Sequence, residues 1–193
     1  MTPSKPAAAP RRGFGATRLF HQGRLSGDIV LSAQVTAKPL LLDPDHPDAE
    51  LRHAARALAA GLLVAYPTDT LYGLAVDPRH AAAVARLFHL KLRPAGMALP
   101  LVAADLAQAE AGAGPLTGVG RRLAQRFWPG PVTFVVDAAP ALDHRLLGEG
   151  RTVAVRVPAS PVARALAGCF GYPITATSAN LSGRAAATTG KFT

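Results

Sequence analysis

Residues 152–177 read TVAVRVPASPVARALAGCFGYPITAT, and their pattern settles the fold class. From Thr152 to Val157 the valines alternate with Thr152, Ala154 and Arg156, which places the two sets on opposite faces of a strand. Ser160-Pro161 then caps and opens a helix. The serine hydroxyl accepts an otherwise unpaired N–H of the first turn, and the fixed φ of proline suits the first helical position. The helix is expected to run through Leu166, and Ile174 to Thr177 returns as a strand. A strand, a helix and a further strand in succession are the unit of an α/β domain.

The same alternation extends upstream. Leu40 to Leu42 reads as a short strand ended by Asp43-Pro44-Asp45. Asp48 is expected to cap a helix with Leu51, Ala55, Leu58 and Ala59 on its inner face, stopped by Gly61. Leu62 to Tyr66 reads as a buried strand and Leu71 to Val76 as a second. Asp77-Pro78 is expected to begin the next helix, with Val84, Leu87 and Phe88 facing inward. Leu99 to Ala103 reads as a strand, Val119, Leu123 and Phe127 space a further helix ended by Pro129, and Val132 to Val136 is again a strand.

The chain has 193 residues, enough for one ordinary domain with a core, and 49% of them are hydrophobic against 17% charged. Its net charge of +9 points to an acidic partner, whether ATP, RNA or an anionic membrane surface. No acidic residue precedes Asp28 and none follows Glu149. Residues 1–38 mix Ala, Pro and Gly with arginines and show little periodicity, so they are expected to form a flexible basic extension. The single Cys169 rules out an intramolecular disulfide and fits a reducing, cytoplasmic setting. No apolar run approaches the roughly 18 residues of a membrane helix, so no membrane partner is expected.

Several segments can carry chemistry, and each admits a structural reading as well. Pro67 to Leu74 (PTDTLYGL) offers two threonines and a tyrosine at a strand edge, for a small polar ligand or for the turn itself. Lys91 and Arg93 follow a helix and suit either one polyanion or the negative end of the helix dipole. Arg156 sits on a strand face among apolar neighbours and needs an anionic partner, from the protein or from a ligand. Thr175 to Gly183 (TATSANLSG) runs into a hydroxyl-rich loop suited to phosphate or to capping a helix. Trp128 in the rigid WPGPVT turn reads as core. Phosphate-binding P-loop, GxGxxG, metal-ligand and GxSxG patterns are absent from the sequence.

In order, P-T-D-T-x-Y-G-L, K-x-R-P, W-P-G-P-V-T, A-V-R-V-P and S-A-N-L-S-G resemble the YrdC-like family of threonylcarbamoyl-AMP synthases over about residues 39–183. The likeness is greatest to the short bacterial (TsaC-type) form. It implies a single twisted α/β domain, with a mixed sheet and flanking helices around a basic concave cavity. The implied domain spans 39–193, and is expected to lack the C-terminal part with which family members continue past S-A-N-L-S-G.

The implied reaction joins L-threonine, bicarbonate (as CO2) and ATP into threonylcarbamoyl-AMP and pyrophosphate, with Mg2+ accompanying the triphosphate. A tRNA-modifying transferase complex is the implied partner. By motif position, Lys91, Arg93, Thr152, Ser178 and Asn180 correspond to nucleotide-binding residues, Lys91 and Arg93 also neutralising charge during catalysis. Thr70, Arg156 and Ala176 correspond to the L-threonine site, Ala176 through its backbone. No residue is assigned as a metal ligand, Asp69 standing as a structural or metal-side carboxylate. Two alternatives share the same resemblance: a non-catalytic module that binds RNA directly, and an inactive truncated relative.

Overall fold

A computed structural model describes residues 47–68, 71–94 and 96–180. The expected extension over residues 1–38, the Leu40–Leu42 strand, Asp69, Thr70 and everything past Asn180 lie outside the described residues. Within them the order is α1 (Pro47–Ala59), β1 (Val64–Pro67), β2 (Tyr72–Ala75), α2 (Ala81–Leu90), β3 (Leu101–Val102), α3 (Leu106–Gly112) and α4 (Gly118–Phe127). There follow β4 (Phe134–Asp137), β5 (Thr152–Arg156), α5 (Pro161–Phe170), β6 (Ile174–Thr175) and β7 (Thr177–Ser178), with 3-10 turns at His144–Leu146 and Glu149–Arg151.

The mixed α/β class is the one expected, with the described strands divided between two sheets. One is antiparallel in the order β1-β2-β7; the other runs β4-β5-β3-β6, with β3 and β5 parallel and the other pairs antiparallel. Residues 174–178 pass from one sheet to the other. Ile174 and Thr175 pair with Val102 and Leu101, whereas Thr177 and Ser178 pair with Leu74 and Gly73. At the crossing the Thr175 N–H donates to the Val76 carbonyl (3.2 Å), and the Thr175 hydroxyl accepts from the Val76 N–H (2.9 Å). Those bonds let a fully buried threonine sit in the core without an unsatisfied polar group.

The alternation in β5 is realised: Val153 and Val155 are buried, with Val157 just beyond the strand, while Thr152, Ala154 and Arg156 are half-buried on the other face. The valines pack with Val84, Leu87, Leu101 and Leu146 in one apolar cluster. Leu58, Val102, Leu166 and Ile174 build a second cluster beneath α1 and α5. Each such side chain, fully buried, contributes about 1.5–3 kcal/mol. Ser160 caps α5 through its Oγ, which accepts from the Ala163 N–H at 3.4 Å, with Pro161 at the helix start. The helix continues past Leu166 to Phe170.

Several boundaries differ from expectation. Asp48 lies in the first turn of α1, which begins at Pro47, and Ala59 is exposed while Ala54 packs inward. Leu62 is 50% exposed; β1 starts at Val64, and only Tyr66 of that run is buried. α2 is capped by His80, whose Nδ1 accepts from the Ala83 N–H, because Asp77 is taken up by the backbone and guanidinium of Arg79. β3 is shorter and β4 starts later than the alternation suggested. α3, capped by Asp105 through the Gln108 N–H (2.8 Å), was not expected. The Val119, Leu123 and Phe127 stripe of α4 faces solvent, because the small Gly120 and Ala124 are the residues turned to the core. No described helix is long and apolar enough to cross a membrane.

Candidate functional site

Residues from both sheets line a cavity of about 260 Å3. Tyr66, Val102 and Ala163, all buried in the second apolar cluster, form its floor. Thr68 and Tyr72 bound it on the β1–β2 side, Thr133 and Arg156 on the β5 side, and Ala176 and Ser178 along the crossing segment. A shallower depression of about 280 Å3 at Arg52, Arg56, Cys169 and Phe170 lies apart from these residues. The first cavity is the candidate because polar groups from four separate segments converge on an apolar floor.

Arg156 reaches this cavity from the half-buried face of β5 and has no carboxylate partner among the described residues. Its charge is therefore available to an anion entering the cavity. Tyr66 is 3% exposed, and burial pushes its phenol well above the usual tyrosine range, partly opposed by the positive charge of Arg156. The Tyr66 ring lies over Gly73, its antiparallel partner on β2. A Cβ at Gly73 would stand 3.0 Å from the Tyr66 Cζ and 3.2 Å from its Oη, so the glycine makes room for the ring. Gly73→Ala is therefore expected to displace the ring, lowering stability by about 1–3 kcal/mol. Thermal melts check it; an unchanged melt would contradict it.

A second cluster abuts the cavity at Ser178. Lys91, at the C-cap of α2, is 2% exposed. Its Nζ donates to the carbonyl oxygens of Ser178 and Asn180 (2.6 Å for the latter) and more distantly to Asn180 Oδ1 (3.5 Å). The Ser178 hydroxyl donates to Asn180 Oδ1. Arg93, two residues on, donates through Nε to the Met97 carbonyl (3.0 Å) and through Nη2 to that of Ala98 (2.7 Å). Both cations are thus held by neutral carbonyls, with no carboxylate on either among the described residues. Burial, and then the nearby Arg93, lowers the Lys91 ammonium below the usual lysine range, and burial lowers Arg93. The result is an uncompensated positive field beside hydroxyl and amide groups, the arrangement a polyphosphate needs.

The structure thus brings Lys91, Ser178 and Asn180 into direct contact and sets Arg156 and Ala176 around the adjoining cavity. The Ala176 N–H donates to the Pro100 carbonyl (2.8 Å), leaving its own carbonyl as the group it can offer. Thr152 stands apart: its hydroxyl donates to the Glu149 carbonyl (2.9 Å), and Gly148 lies against both Thr152 and Ala98, the residue that holds Arg93. Thr70 lies outside the described residues. Trp128 packs on the core as expected, edge-on to Phe134 at 5.1 Å, with its Nε1–H donating to the Val132 carbonyl (2.6 Å). Sequence reasoning missed Tyr66 and Thr133. The clue at Tyr66 was a hydroxyl-bearing residue closing an apolar run immediately before Pro67-Thr68.

Comparison with known proteins gives the family. The family model Sua5/YciO/YrdC, described as "Telomere recombination", matches residues 56–191. A threonylcarbamoyl-AMP synthase of Halorhodospira halophila is 46% identical over 134 residues, covering 69% of this chain and 70% of that one. One from Thiobacillus denitrificans is 45% identical over 132 residues, 68% of this chain and 70% of its own. Among solved structures, P. abyssi Sua5 complexed with L-threonine superposes with a TM-score of 0.68 at 39% identity. That match covers 72% of this chain and 41% of the archaeal one, so the chain spans about two fifths of that relative's length. On the extent of the family match and the identity to these relatives, the chain belongs to the Sua5/YciO/YrdC family.

Proposed function

We propose that the chain is a threonylcarbamoyl-AMP synthase, making threonylcarbamoyl-AMP and pyrophosphate from L-threonine, bicarbonate (as CO2) and ATP. The observation that carries this reading is the junction at Ser178, where an anion-ready cluster around Lys91 meets a cavity containing Arg156, which has no carboxylate partner among the described residues. The names of the relatives, and the L-threonine bound to the archaeal neighbour, point the same way.

The chemistry follows from the charges. The threonine amine attacks the carbon of CO2, forms the N–C bond and loses a proton, giving a carbamate. A carbamate oxygen then attacks the α-phosphorus of ATP, and the bond to the β-phosphate oxygen breaks to release pyrophosphate. Nucleophile and triphosphate are both anionic, so the site must neutralise charge and hold the reactants in line. Lys91 and Arg93 supply two cations for this, and the Ser178 hydroxyl and Asn180 amide lie beside Lys91. Arg156 takes the threonine carboxylate as a fork. Thr152 borders the nucleotide through the Arg93 loop, and Thr70 and Ala176 complete the amino-acid side. Mg2+ would enter on the triphosphate oxygens and screen their charge. The described residues hold no group of three or more His, Cys, Asp or Glu that would cage it. A cytoplasmic transferase acting on tRNA would consume the product.

The lowered Lys91 ammonium gives a pH dependence of definite sign. Bound phosphate favours the charged lysine and so raises its pKa again; ATP affinity is therefore greatest where Lys91 is protonated. Affinity is expected to fall as pH rises through a window below the ordinary lysine value of about 10.4, with net proton uptake on binding there. Titration calorimetry in buffers of different ionisation enthalpy reads that uptake; proton release in the window would contradict the assignment. The function itself is tested by pyrophosphate release from ATP with bicarbonate, with and without L-threonine. Release that depends on threonine supports it, and release indifferent to threonine opposes it.

A further inference from the structure

Among the described residues the Tyr66 hydroxyl is the one polar group on the cavity floor, and neither the chemistry above nor the folded core uses it. Its ring belongs to the apolar cluster of Leu58, Val102, Ala163, Leu166 and Ile174, where a phenylalanine would fill the same space. The hydroxyl makes no hydrogen bond with any described residue, although the side chain is 3% exposed and lines the cavity. A hydroxyl that the protein leaves open to a cavity can pair with a group that enters it. A bare phenol at the bottom of a cavity is one that a ligand completes.

The rest of the cavity says which ligand group that is, given the proposed function. A threonine bound here has three polar groups to place. The carboxylate goes to Arg156, the only cation among the described residues that line the cavity. The amine becomes the carbamate that meets the α-phosphorus, so it points toward Ser178, where the cavity joins the Lys91 cluster. The side chain remains, and the floor offers it both apolar and polar surface. There Val102 and Ala163 present apolar surface to a methyl group, and Tyr66 presents an oxygen.

We propose that the Tyr66 hydroxyl hydrogen-bonds the β-hydroxyl of the amino-acid substrate and makes this site selective for a β-hydroxy amino acid over its deoxy counterpart. Because burial keeps the phenol protonated, Tyr66 can either donate to or accept from that hydroxyl at any working pH. A site built to pair a substrate hydroxyl discriminates far more sharply than one that reads shape alone, since an analogue without the hydroxyl leaves the protein group unpaired.

The test is binding, with catalysis left out. L-threonine and L-α-aminobutyrate, which differ by that hydroxyl, are titrated calorimetrically into the wild-type chain and into Tyr66→Phe. A thermal melt of each protein accompanies the titrations. The wild type is expected to prefer threonine. Tyr66→Phe is expected to lose threonine affinity by on the order of ten- to a hundredfold and to keep its affinity for α-aminobutyrate within about twofold. Its melt should change little, because the ring that packs in the apolar cluster is kept and the hydroxyl bonds no described residue. Two results would overturn the inference: a variant that keeps the wild-type preference, or one that loses both ligands equally. A wild-type chain that binds no threonine at all would sink the proposed function, and this inference with it.

Discussion

Replacing Lys91 with methionine is expected to reduce threonine-dependent pyrophosphate release by on the order of a hundred- to a thousandfold, with little change in thermal midpoint. The stem of methionine fills the space of the buried lysine but ends without a charge. Lys91 is buried to 2% exposure and holds the Ser178 and Asn180 carbonyls together, so its loss removes a cation and releases the loop that presents the hydroxyl and amide. Stability should move little because two effects oppose each other. The lost hydrogen bonds cost, while the penalty of burying an ammonium without a carboxylate disappears. Lys91→Arg is not expected to rescue activity, since a planar fork does not reproduce a point charge shared among three acceptors. Steady-state rates and melts of the three proteins measure this. A methionine variant with full activity would remove Lys91 from the site.

The second large effect belongs to Arg156. Arg156→Gln keeps most of the stem and loses the charge, and L-threonine affinity is expected to fall on the order of a hundredfold, with ATP binding changed by no more than about twofold. The asymmetry arises because Arg156 lines the cavity from β5, whereas Lys91 and Arg93 are held in the separate cluster of carbonyls at 97–98 and 178–180. Arg156→Lys should recover only part of the loss, because an ammonium cannot offer two parallel N–H groups to a carboxylate. Titrating each ligand separately distinguishes the roles. Equal loss of threonine and ATP would show that Arg156 supports the fold around both subsites and not one carboxylate.

How much of this was legible beforehand depended on whether the information was local. The β5 alternation and the Ser160-Pro161 cap depend on adjacent residues, and both appear in the structure as read. Contact between Lys91 and Asn180 joins segments far apart in the chain, and no periodicity encodes it; the resemblance grouped both around a nucleotide without implying that they touch. The split of residues 174–178 between two sheets was also out of reach, because a single apolar run does not reveal that its two ends pair with different neighbours. In α4 the helical spacing of Val119, Leu123 and Phe127 was correct, but spacing cannot say which face meets the core, and Gly120 and Ala124 took that place. α3 was missed because seven residues carry little periodicity, although Asp105 three before Gln108 marked its start. Tyr66 read as one more residue of a buried strand. Its value to the site appears only once Gly73 is seen beneath its ring and Arg156 beside the same cavity.

The most direct measurement of the central claim is mass spectrometry of the product formed by the purified chain from ATP, L-threonine and isotopically labelled bicarbonate. The account predicts threonylcarbamoyl-AMP carrying the label in its carbamoyl carbon, formed with pyrophosphate and lost in Lys91→Met. A folded chain that binds ATP and threonine yet yields only unreacted substrates, or an adenylate without the label, would contradict it.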